Sequence, residues 1–76
     1  MKLNLYAIKD VKVGFDRPFV EHNDATASRM FQDAVQNKQL RYADDMELWK
    51  FGEYDNISGE IKGQLKFIYK EANKDA

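Results

Sequence analysis

The chain has 76 residues, 43% hydrophobic and 13% aromatic, with 12 basic and 13 acidic side chains for a formal net charge of −1. That length holds one domain around one core, near the lower limit of independent stability, and the apolar content excludes a disordered chain despite 33% charged residues. The balanced charge is not the basic excess of many nucleic-acid binders, and the lack of cysteine excludes disulfides and thiolate metal sites.

A cysteine-free domain suits a reducing compartment. Met1 to Val13 alternates polar and apolar residues rather than giving a basic start and an apolar run, so it does not read as a signal peptide. No stretch approaches the roughly 20 apolar residues that span a bilayer. The expectation is a cytoplasmic protein without a membrane partner.

In chain order, Leu3, Leu5, Ala7, Val11 and Val13 recur with period 2, the spacing of a half-buried strand, and Asn4, Tyr6, Ile8, Asp10 and Lys12 take its other side. Gly14 and Pro18 end that strand and predict a loop from about Gly14 to His22. Asn23 or Asp24 then caps a helix whose apolar stripe is Ala27, Met30, Phe31, Ala34 and Val35, with Asn37 as its stop. Residues 38–45 read as a loop.

Met46 to Tyr54 and Glu60 to about Lys70 form a predicted hairpin around the turn residues Asp55, Asn56, Ile57, Ser58 and Gly59. Pairing Tyr54 with Glu60 sets Trp49 and Phe51 on one face with Ile61, Leu65 and Phe67, and that face is the expected core. The expected open face carries Tyr6, Ile8, Leu48, Lys50 and Tyr54 beside Lys62, Gln64, Lys66, Ile68 and Lys70. A slip of one residue swaps a strand's faces, so this assignment depends on the register. The predicted fold is a single α+β domain over residues 1–76, β-α-β-β, a mostly antiparallel three-stranded sheet with one helix on its apolar face and a disordered tail after about residue 70.

Catalytic constellations are poor. His22 stands alone before the helix, and Ser28 and Ser58 lack a nucleophile-elbow context. The carboxylates Asp44, Asp45, Glu47, Glu53 and Asp55 read as solvated surface, and the single glycines make no phosphate-cradling loop. The chain therefore reads as a non-enzyme without a metal or cofactor. Single-strand binders combine cations with stacking rings, which makes Lys50, Lys62, Lys66, Tyr6 and Tyr54 the candidate nucleic-acid contacts. Alternating lysines are also the ordinary solvated side of a strand and protect its edge, and an open apolar face equally invites a second copy or another protein.

Met1 to Phe15, the Pro18-Phe19 pair, Asn23-Asp24-Ala25 leading to Arg29 and Phe31, Glu47 to Asp55, and Ser58 to Ile61 together resemble the small nonstructural protein of gokushoviruses, microviruses with circular single-stranded DNA genomes. The resemblance implies a nonstructural, DNA-binding phage protein of the host bacterial cytoplasm, with a part in making or packaging the genome. Its implied partner is single-stranded DNA. It supplies no catalytic residue and no site residue. A homodimer, and phage or host replication proteins as alternative partners, complete the expectation.

Overall fold

The computed structural model describes residues 2–37 and 42–69. Three long strands, β1 (Lys2–Asp10), β4 (Met46–Asp55) and β5 (Ile61–Tyr69), form an antiparallel sheet in the order β1-β4-β5. Two short strands, β2 (Gly14–Phe15) and β3 (Phe19–Glu21), both pair with the outer edge of β1. One helix, α1 (Asp24–Gln36), lies across one face. The α+β class and the antiparallel sheet are as the sequence predicts, while the sheet has five strands rather than three.

The extra strands come from the end of β1. Its apolar period continues through Val11 and Val13, yet the chain turns there, because the Asp10 side chain accepts the Lys12 N–H at 2.9 Å and the Asp10 carbonyl accepts that of Val13 at 3.0 Å. Gly14, at φ +125°, completes the reversal in a conformation that side chains disfavour. Phe15 then pairs with Lys9, and Phe19 with Tyr6, where a loop is expected from the sequence.

The helix follows its sequence signals closely. Asn23 is the cap: its backbone is extended and its Oδ1 accepts the Thr26 N–H at 2.8 Å. Ala27, Phe31 and Ala34 are buried, and Val35 packs against the same cluster.

The face that α1 covers is the reverse of the expected one. Tyr6, Ala27, Phe31 and Leu48 are fully buried together, with Ile8, Phe19, Val35, Met46, Ile68 and Tyr69 around them. Tyr6, Ile8, Leu48 and Ile68 are therefore the core and not an open surface. Ile61, Leu65 and Phe67, expected inside, are 61%, 60% and 46% exposed. Both sides of β1 and β4 are apolar enough to be buried, so period alone could not choose between them. The choice is made where the chain out of β3 brings the start of α1 over Tyr6, whose hydroxyl finds its partner there.

The hairpin register differs by one residue from the simplest reading, since Tyr54 pairs with Ile61 and not with Glu60. In that register Gly52 lies opposite Gly63, and a further shift between Gly52 and Lys50 sets Trp49 opposite Phe67, so the two still share a face as expected. Gly52 has φ +147°, and a Cβ there would fall 1.9 Å from the Lys62 carbonyl oxygen. Lys70, assigned to the open face from the sequence, and the expected tail after it lie outside the described residues, as do residues 38–41 of the predicted loop.

Candidate functional site

The sheet face away from α1 carries a run of aromatic rings. Strand register places Leu3, Leu5, Ala7 and Lys9 of β1 on this face, opposite Tyr54, Gly52, Trp49 and Glu47 of β4. Phe67 and Ile61 of β5 lie opposite Trp49 and Tyr54. Phe15 meets Phe51 edge-on at 5.0 Å between centroids and Trp49 at 6.1 Å, and Trp49 meets Phe67 at 5.5 Å. Edge-to-face contact pairs the positive rim of one ring with the negative face of the next and fixes the rings at these separations. Ala7, opposite Trp49, is small, so rings from β2 and β4 meet across β1.

One cation sits among the rings. Lys9 Nζ lies 5.3 Å from the Phe15 centroid and 5.5 Å from that of Trp49, within range of attraction by both π faces. Trp49 Nε1 donates to Glu47 Oε1 at 3.0 Å, which satisfies the indole of this partly buried ring.

Four of the five residues proposed from sequence for nucleic-acid contact do not share this face. Tyr6 is fully buried beneath α1, stacked on Phe19 with centroids 6.0 Å apart, so it offers no ring to a base. Its hydroxyl donates to Asp24 Oδ1 at 2.6 Å, and its pKa is raised well above the ordinary tyrosine value, first by burial and then by the hydrogen bond to Asp24 and that carboxylate's charge. Lys50 lies opposite Tyr6 and Lys66 opposite Lys50, on the helix side, with Lys66 Nζ 3.9 Å from Asp24. Lys62 lies opposite Glu53, also on the helix side. Tyr54 alone of the five stands on the aromatic face, moved there by the Gly52 bulge.

Phe15, Trp49, Phe51, Phe67 and Lys9 are thus the members that the sequence reading missed or assigned to the core. The signal is present in the sequence: period groups Trp49, Phe51 and Phe67 on one face, which the sequence alone expects the helix to cover. Among the described residues no three His, Cys, Asp or Glu side chains gather as a metal site, and no helix is long and apolar enough to cross a membrane.

Fold and face together define a small α+β domain in which one helix covers one side of an antiparallel sheet, while the other, aromatic side is uncovered among the described residues. The chain belongs to the phage ORF5 protein family, whose model matches residues 3–73. No curated protein and no solved structure matches it.

Proposed function

We propose that this phage protein is a non-enzymatic, single-stranded-DNA-binding accessory factor of genome replication or packaging in the cytoplasm of the infected bacterium, as the gokushovirus resemblance implies. The observation that carries this reading is the contiguous strip of Phe15, Phe51, Trp49 and Phe67 on an uncovered sheet face, with Lys9 held over two of the rings. Unpaired bases expose flat apolar faces that stack on such rings without regard to sequence, each contributing about 1–3 kcal/mol. Duplex bases are already stacked and offer no such face. Among the described residues Lys9 is the cation placed to meet a phosphate on that face, so stacking rather than counterion release supplies most of the affinity.

The test is a titration of single-stranded and duplex oligonucleotides against the whole chain, read by anisotropy of the labelled DNA and by the fluorescence of Trp49, the sole tryptophan. The expected result is preference for the single strand, quenching of Trp49, and a shallow salt dependence with a logarithmic slope of about −0.7, that of one phosphate contact on a single strand. No binding of either form at low salt, or binding that leaves Trp49 unchanged, would sink the reading.

A second reading, docking of a phage or host replication protein, is favoured by one feature of the same face. Ile61 and Leu65, aliphatic and about 60% exposed, share the face of β5 that carries Phe67. Replacing both with serine leaves DNA affinity intact if the rings alone are used, and abolishes capture of a replication protein if that protein is the true ligand.

A further inference from the structure

β5 is the outermost strand on its side of the sheet, and its far edge pairs with nothing among the described residues. From Ile61 to Phe67 every residue is exposed. The Lys62 carbonyl is directed at β4, where it would meet a Cβ on Gly52. Backbone direction alternates along a strand, so the N–H and C=O groups of Ile61, Gly63, Leu65 and Phe67 point outward. Against β4 the register shifts between Gly63 and Lys66 and again after Phe67, yet across the first shift Ile61 and Phe67 on one face and Lys62 and Lys66 on the other keep a two-residue alternation. The edge is a long row of unpaired donors and acceptors, the arrangement that recruits another strand.

The side chains of this edge complement their own sequence run in reverse. In an antiparallel pairing of two copies centred on Gly63, Glu60 lies opposite Lys66, Ile61 opposite Leu65, and Lys62 opposite Gln64, each pair occurring twice. Every pair shares a face: the aliphatic pair falls on the aromatic side, and the charged and amide pairs on the helix side. A slip to the next register sets Lys62 opposite Lys66 in both halves, and directly opposed like charges are destabilising. Lysines on an edge ordinarily deter strand addition; in the Gly63 register each meets an acidic or neutral partner instead.

We propose that the β5 edge is a self-association surface, and that two copies of this chain pair antiparallel through residues 60–66 about Gly63. The dimer has one continuous sheet with a helix from each copy on one side, and it joins the two aromatic faces on the other. Neither the pairing nor its test depends on DNA binding.

Sedimentation velocity of the full chain over a wide concentration range, without nucleic acid, tests it. The wild type is expected to sediment as a monomer–dimer equilibrium. Glu60→Lys and Lys66→Glu each turn two attractive pairs into repulsive ones, weakening the dimer about tenfold or more, and the combined charge swap restores it. Circular dichroism confirms that each variant is folded. Independently of any variant, amide exchange at Ile61, Gly63 and Leu65 slows as the wild-type concentration rises. A monomer at every concentration, or association that ignores the charge swaps and leaves these amides fast, would overturn the proposal.

Discussion

The Tyr6 hydroxyl, at the centre of β1, donates a 2.6 Å hydrogen bond to Asp24 in the first turn of α1, joining the sheet to the helix at the point where the covered face is chosen. Tyr6→Phe keeps the ring in the core and removes only this bond. Because Asp24 is partly exposed and water replaces the lost donor, the expected cost is about 1–2 kcal/mol, toward the lower end for a bond to a charged group. Denaturant unfolding with an unchanged slope measures it.

The same bond predicts a pH dependence. Tyr6 holds its proton more tightly in the folded chain than in the unfolded one, where tyrosine titrates near 10.0. Its contribution is therefore complete below that value and is lost as pH rises above it toward the folded-state pKa. The wild type should lose more stability than Tyr6→Phe between neutral pH and strongly alkaline pH, as measured by denaturant midpoints.

Asp55 acts at the opposite end of the scale. Its carboxylate accepts the N–H groups of Ile57 at 2.9 Å and Ser58 at 3.3 Å, and these bonds lower its pKa from the ordinary 3.8. A depressed acid stabilises the fold above its unfolded pKa and ceases to do so as pH falls through the folded value. Asp55→Asn retains an acceptor oxygen but cannot titrate. Its acid unfolding curve should lack part of the decline that the wild type shows below pH 3.8.

The facing glycines of the hairpin should differ sharply. Gly52→Ala places a methyl group against the Lys62 carbonyl in a backbone conformation that L residues resist, so a loss of at least about 2 kcal/mol is expected. At Gly63 a methyl group would meet only the Phe51 carbonyl oxygen, at an ordinary 4.0 Å. Gly63→Ala should be close to neutral in thermal unfolding, or mildly stabilising through reduced unfolded-state entropy.

Two phenylalanines separate the core from the aromatic face. Phe31 is fully buried, and truncation to alanine should cost about 3–5 kcal/mol. Phe67 is 46% exposed on the far side of the sheet, so Phe67→Ala should cost much less in unfolding while weakening single-strand binding about tenfold, within the range for one stacked base. Equal stability losses for the two would contradict the assignment of faces.

Local chemistry was legible in the residues themselves. The Asn23 cap, the stripe from Ala27 to Val35, the hairpin turn at Asp55 to Gly59 and the grouping of Trp49, Phe51 and Phe67 on one face all follow from rules that act over a few residues. So did the α+β class, and the resemblance to phage proteins agrees with the family the chain belongs to. The short strands β2 and β3 were not legible, because Asp10 breaks an apolar period that the sequence continues to Val13.

Which face the helix covers was decided only by the tertiary structure. Period 2 sorts side chains into two sets but does not rank them, and here each set carries aromatic and aliphatic residues. One contact across 18 residues, from Tyr6 to Asp24, lies on the chosen side. It buries a tyrosine that the sequence offered to solvent and exposes the phenylalanine and leucine of β5 that it offered to the core. The Gly52 bulge moves Tyr54 to the aromatic face for a related reason: register depends on the path of two strands together, and neither strand's own pattern contains it.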